Sequence, residues 1–157
     1  MATSAELLAV EPDHWMHLTL KLGLAVLLGG AIGWDREITG KAGGLRTHML
    51  VSLGAALFVL VPLQTGASED GVSRAIQGIA TGVGFLGAGE IVHRTLTSGK
   101  LKVKGLTSAA SIWVTAGVGV LAGCGLWQTS IVATLFTLAI LVIAKYLERL
   151  LPKGEDD

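Results

Sequence analysis

The chain has 157 residues and no net formal charge, with 51% of its residues apolar and only 15% charged. Soluble domains carry roughly 25% charged residues, and one this small could not hide so much apolar surface, so lipid is the expected solvent. Balanced charge gives no electrostatic reason for a nucleic-acid partner, and Cys124, the single cysteine, excludes an intramolecular disulfide or a cysteine-rich metal site.

Glu6, Glu11 and Asp13 precede the first apolar run without a Lys or Arg. The basic start of a secretory signal peptide is missing, so the first helix is expected to stay as an anchor. A membrane helix needs about 20 apolar residues. The first candidate span runs from about His17 to Gly33, between Trp15 and Trp34. Those indoles stand about 28 Å apart along a helix, a spacing that suits the two interfaces where Trp settles. A second span is expected at about Thr47–Leu63 and a third, glycine-rich and containing Glu90, at about Ile76–Val92. From Gly105 to Ala144 there is no charged residue and no His, and Gly123, Gly125 and Trp127 mark a turn. This predicts a helical hairpin of about Leu106–Ala122 and Trp127–Tyr146. The expected fold is therefore all-α, a polytopic transmembrane bundle of about five helices in one domain over residues 1–150, with a short cytoplasmic tail at 151–157.

Arg36, Lys41 and Arg46 follow the first span; Arg94, Lys100, Lys102 and Lys104 follow the third; Lys145, Arg149 and Lys153 follow the fifth. With an odd number of spans these fall on one side. The positive-inside rule then predicts an outer N-terminus and a cytoplasmic C-terminus. Of the remaining basic residues, Arg74 lies opposite beside Glu69 and Asp70, and Lys21 can snorkel out of the first helix.

Small residues let helices approach closely in lipid. Gly29 and Gly33, Gly78 and Gly82, and Gly119 and Gly123 are pairs at four-residue spacing, and helix three adds Gly84, Gly87 and Gly89. Small residues on several faces place helix three at the centre of the bundle. They also suit a backbone-lined pathway or a dimer seam.

The run Gly33-Trp34-Asp35-Arg36-Glu37, then Gly40 to His48, leading into Leu50–Phe58, resembles the signature of the MgtC/SapB family. The stretches Gly84–Gly89 and Gly105–Ala116 resemble its second and third blocks. The resemblance covers roughly Gly29–Gly123 and implies a multi-pass protein of the bacterial inner membrane, linked to growth in low magnesium and, in pathogens, to survival inside host cells. The chain stops about ten residues after its fifth helix, which resembles the short SapB-like members without a soluble C-terminal domain. Glu90 departs from the small or apolar residue more usual there.

Helix starts carry free N–H groups and a positive dipole end. Arg46 and Thr47 open helix two, and Thr107 and Ser108 open helix four, so the four could form an anion pocket if the starts converge. Alternatively Arg46 pairs with Asp35 or Glu37 and the threonines cap helices. Asp35, Arg36, Glu37, Lys41 and Glu90 make a polar rim. Its carboxylates, Asp35, Glu37 and Glu90, are hard oxygen donors that could hold magnesium with retained waters, although Glu90 could instead pair with His93 and Arg94. Asp13, His14 and His17 offer too few ligands for a transition-metal site. Ser52, Ser108 and Ser111 show no His and acid partners, so no catalytic residue and no resident cofactor is expected. The reading is a non-enzymatic membrane protein of magnesium-limitation adaptation, acting by binding lipid, itself as an oligomer, or other membrane proteins. The alternative is a small transporter or channel for magnesium or another cation.

Overall fold

The computed structural model describes residues 12–95 and 101–150, with side chains given for 15–91 and 103–147. Glu6, Glu11, Lys100 and the tail lie outside the described residues, as do the side chains of Asp13, His14, His93 and Arg94, and with them any pairing of Glu90.

Five helices follow one another: α1 (Pro12–Ile38), α2 (Leu45–Gln64), α3 (Glu69–Gly89), α4 (Leu106–Gly123) and α5 (Trp127–Leu150). Four of them are long and apolar enough to cross a membrane, over Trp15–Ile38, Leu45–Gln64, Leu106–Gly123 and Trp127–Leu147. α3 is not among them. Glu69, Asp70 and Arg74 occupy its first turns, and glycines dilute the remainder. It begins earlier than the expected third span because the Ser68 hydroxyl accepts a hydrogen bond from the Gly71 N–H at 3.3 Å and caps the helix there. Between α3 and α4, where the sequence suggests only a basic loop, the chain forms a two-stranded antiparallel hairpin. Its strands are β1 (Val92–Thr95) and β2 (Leu101–Lys104), with His93 opposite Val103.

α2 is held between α1 and α4 by backbone contact. A Cβ at Gly29 would lie 2.7 Å from both the His48 carbonyl and the Ser52 Cβ, and one at Gly33 would lie 2.8 Å from the Leu45 Cα. From the other side, a Cβ at Gly119 would fall on the Ser52 carbonyl, and one at Gly123 would lie 2.9 Å from the carbonyl of Ala56. α2 and α4 therefore run parallel, with α1 antiparallel to both. Small residues continue the packing inward: Ala55, Val59, Ala116 and Val120 form one buried cluster and Ala25, Ala56 and Ala122 another.

The structure corrects the central placement of helix three. Only Gly87 of α3 is buried, facing Ala109 at the start of α4. Gly78, Gly82, Gly84 and Gly89 meet nothing within 4 Å. α3 leans on α2 and α4, and the Trp113 indole N–H of α4 donates to the Ala80 carbonyl at 3.2 Å. α4 takes the central place instead, touching all four other helices.

Polarity is inverted along α5. Ser130, Thr134 and Thr137 are buried, while Leu135, Phe136, Ile140 and Ile143 are exposed. Water would reverse that arrangement; hydrocarbon favours it, because the hydroxyls find carbonyl acceptors inside. Ser130 donates to Val118 of α4 at 2.9 Å, and Thr134 and Thr137 donate to carbonyls one turn back.

Two outcomes follow from this packing. Gly119→Ala should destabilise the protein by about 1–3 kcal/mol through overpacking, whereas Gly78→Ala should be neutral or stabilising by about 0.5–1 kcal/mol; unfolding in detergent micelles reads the difference, and equal effects would refute the assignment of faces. At the α4–α5 turn, burial pushes the Cys124 thiol above its ordinary value, against the pull of the nearby Lys21 ammonium. Its maleimide labelling at neutral pH should therefore be slower than in unfolded protein and should accelerate as pH rises.

Candidate functional site

The end of the bundle where α1 stops and α2 and α4 begin carries Arg36, Lys41, Arg46 and Lys104. A buried polar network lies just inside this basic end. Arg36, in the last turn of α1, shares a face with Gly29 and Gly33 at intervals of four and three residues, so its side chain enters the seam between α1, α2 and α4. It is only 4% exposed. Its Nη2 donates to the Ser108 Oγ at 2.8 Å, and its Nε has no partner.

His48 is wholly buried on α2. Its Nδ1 lies 3.0 Å from the Gly44 carbonyl and its Nε2 lies 3.2 Å from the Ser111 Oγ. A carbonyl can only accept, so in the neutral ring Nδ1 carries the proton and Nε2 accepts. Ser111 also lies 2.8 Å from the Ser108 carbonyl as a donor, which gives its single hydroxyl proton two acceptors. Thr115 extends the line by donating to the Ser111 carbonyl at 2.8 Å. One turn below His48, the buried Ser52 hydroxyl has no partner.

Glu37 serves a different part. Its carboxylate accepts the Leu45 N–H at 3.1 Å, so the free N–H groups and positive dipole end of α2 face a carboxylate from the same chain. A Cβ on Gly44, the residue before α2, would collide with the Glu37 carboxylate and displace that exposed side chain from its contact. α4 begins without such a group: Gly105 precedes it in the left-handed region with φ 98°, and no side chain caps the helix. A Cβ at Gly105 would fall on the Glu90 carbonyl, which fixes the end of α3 against the start of α4.

Of the four residues considered as an anion pocket, Ser108 is buried, Thr47 half-buried, and Arg46 and Thr107 exposed. Ser108 is thus joined to Arg36. Asp35 and Glu90 are half-buried, while Glu37 and Lys41 are exposed. Among the described residues, no three His, Cys, Asp or Glu side chains gather as a metal-holding group. One expectation is corrected: Ser111 does have a histidine partner. The pair has no acid behind it, because Nδ1 faces a backbone carbonyl, and His48 is closed to any substrate. His48, Ser52 and Ser111 were legible as part of one seam through their spacing. His48 and Ser52 are four apart, and Ser108, Ser111, Thr115, Gly119 and Gly123 recur at three or four.

On the opposite flank of α2 lies an apolar groove of about 550 Å³ toward α3, walled by Gly54, Phe58, Gly78, Ile79, Gly82 and Leu86 among others. Gly54, like Gly78 and Gly82, has open space where a Cβ would stand.

The MgtC family profile matches residues 22–150. The chain is 47% identical over 144 residues to Protein SrpB of Synechococcus elongatus, covering 87% of this chain and 79% of that protein. It is 41% identical over 131 residues to YhiD of Escherichia coli strain K12, whose given name describes it provisionally as a magnesium transporter, covering 79% of this chain and 59% of that one. With Protein MgtC of Salmonella typhimurium it shares 39% identity over 126 residues, 80% of this chain and 52% of the relative. No solved structure matches it.

Ser111→Ala should destabilise by about 1–3 kcal/mol, because it strands a buried ring nitrogen. Ser52→Ala should be neutral or stabilising, since it removes a hydroxyl that already lacks a partner. Unfolding midpoints of the two variants check this, and a large loss in Ser52→Ala would show that the hydroxyl has an undetected partner.

Proposed function

This chain belongs to the MgtC family, a family linked to magnesium homeostasis, and on that premise we propose that it serves adaptation to magnesium limitation by binding the transmembrane helix of a partner protein in the groove between α2 and α3. The proposal makes it a non-enzymatic protein of the bacterial inner membrane, with its basic end in the cytoplasm, and in a pathogen a contributor to survival in the host.

The observation that carries this reading is the unequal fate of the glycine pairs. Gly29 with Gly33, and Gly119 with Gly123, each press against the backbone of α2. Gly78 and Gly82 have the same spacing on α3 and meet nothing. A four-residue glycine pair on a membrane helix accepts a second helix at close range, and the groove beside this pair is apolar, as the side of a transmembrane helix requires. The partner is either a second copy, giving a homo-oligomer, or another membrane protein. α3 returns the chain from the far end of α2 to the basic end, where α4 starts. That path supports its crossing the bilayer as a fifth span, with its open face shielded by a partner. Ten of the twelve Lys and Arg residues then lie on one side, which supports the cytoplasmic assignment.

The transporter reading draws on the description attached to YhiD. Against it, the carboxylates Asp35, Glu37 and Glu90 stand at the basic end and not along the groove, so they do not line a route through the bundle.

The double substitution Gly78→Leu with Gly82→Leu fills the groove without touching the contacts of α1, α2 and α4. It should insert at normal levels and unfold at the wild-type midpoint, yet lose both growth support in low magnesium and cross-linking from a cysteine placed at residue 54 on the α2 wall of the groove. Full growth support with the groove filled would sink the proposal. Magnesium flux into liposomes by the pure protein, abolished by neutralising the three carboxylates, would favour transport.

A further inference from the structure

We infer that the start of α4 and the guanidinium of Arg36 form a binding site for a phosphate oxyanion, independent of what occupies the α3 groove. Arg36 carries a full charge yet is only 4% exposed. Its Nη2 contact is to a neutral hydroxyl and its Nε has no partner at all. Among the described residues no carboxylate is in contact with it, the charge of Asp35 acting only through space; a buried charge so placed is costly, and hydrogen bonds to neutral groups offset only part of that cost. Something anionic belongs beside it.

The same position is electropositive for a second reason. The first bond inside α4 is from the Ala109 N–H to the Gly105 carbonyl at 2.8 Å. The N–H groups of Leu106, Thr107 and Ser108 therefore have no acceptor within the helix, and they mark its positive dipole end. Gly105 supplies no capping side chain. Arg36 reaches this turn through Ser108, so a guanidinium and a positive helix start meet at one serine, whose neutral hydroxyl balances the charge of neither. An oxyanion satisfies both. Its oxygens accept from backbone N–H groups and from the planar guanidinium together, which is the geometry that selects phosphate over a monatomic anion.

The start of α2 shows how the chain handles the same problem when it supplies the anion itself. There Glu37 places its carboxylate on the Leu45 N–H, and Gly44 is bare to admit it. α4 has the bare glycine but, among the described residues, no carboxylate hydrogen-bonded to its first turn. The neighbouring acids are Asp35, next to Arg36 in sequence, and Glu90, whose carbonyl abuts Gly105. A phosphate group from either of two sources fits: free inorganic phosphate, or the headgroup of a phospholipid, since the site lies at the end of four helices able to cross a membrane.

The experiment uses the full chain purified in detergent. One arm titrates inorganic phosphate against chloride at matched ionic strength and reads the unfolding temperature. The other reads, by native mass spectrometry, retention of phosphatidylglycerol against a diacylglycerol without phosphate. Binding in the first arm assigns a free anion and in the second a lipid headgroup. In whichever arm responds, Arg36→Gln should weaken binding about tenfold or more. Should Arg36→Gln not fold, Arg36→Lys and Ser108→Ala replace it, and each should weaken binding while the protein stays folded. The inference is overturned if neither ligand binds, or if Arg46→Gln removes binding while the Arg36 and Ser108 variants keep it. It is also overturned if phosphate binds only after Glu90→Gln, because the site would then belong to the Glu90 carboxylate.

Discussion

At the level of Ser52 three helix backbones meet, and most of the molecule is arranged around that crossing. The Ser52 side chain fills the space that a Cβ on Gly29 would take, and its carbonyl fills the space that a Cβ on Gly119 would take. A larger residue at any of the three positions would push the helices apart. In lipid, helices gain little from the hydrophobic effect when they associate, so van der Waals contact at this range is what holds α1, α2 and α4 together. Seen this way, the unpartnered Ser52 hydroxyl is intelligible: the position selects for size, and a serine is small enough. The hydroxyl itself contributes nothing visible to the packing.

The polar network at the basic end depends on this crossing. Close approach of α1 and α2 brings Arg36 and His48 into the seam, and close approach of α2 and α4 delivers Ser108 and Ser111 to meet them. Polar groups so deep in a membrane bundle would be intolerable on the lipid face, where nothing could satisfy them. Here most find a carbonyl or a hydroxyl. α5 solves the same problem with a simpler device, turning its hydroxyls toward α4 and onto its own carbonyls while its aliphatic side chains face outward.

Much of this was legible from residue spacing, and the limits of that legibility are physical. Apolar stretches with at most one charge, long enough for a bilayer, announce α1, α2, α4 and α5, because lipid imposes the same demand on each. The glycine pairs announce close contact but not its partner. Gly29 and Gly78 look alike in sequence, yet one is sealed by α2 and the other is open, since a missing Cβ permits approach without compelling it. Arg46 attracted attention by its place at the start of α2, but a helix turns about 100° per residue, and it points away from the seam that His48 enters two positions later. Arg36 lies on the face defined by Gly29 and Gly33, a relation visible in the numbering. The β1–β2 hairpin was not visible, because β1 does not alternate and the alternation of Leu101–Lys104 is only four residues long, too short to stand out from a charged loop.

α3 joins the apolar groove to the basic end of the bundle. It is the helix least committed to the core, with one buried glycine and a single indole bond from Trp113 beside its contacts with α2 and α4. Its flank forms the groove, and its end sets the Glu90 carbonyl against Gly105 at the start of α4. A helix docked beside Gly78 and Gly82 therefore touches the same helix whose end abuts Gly105 at the start of α4. α2 cannot yield to such a partner without breaking the contact between Ser52 and Gly119, so any accommodation must fall on α3. The Ser52 crossing thus holds α1, α2 and α4 in place, and with them Arg36 and Ser108 at the charged end, whatever the lipid-facing flank meets.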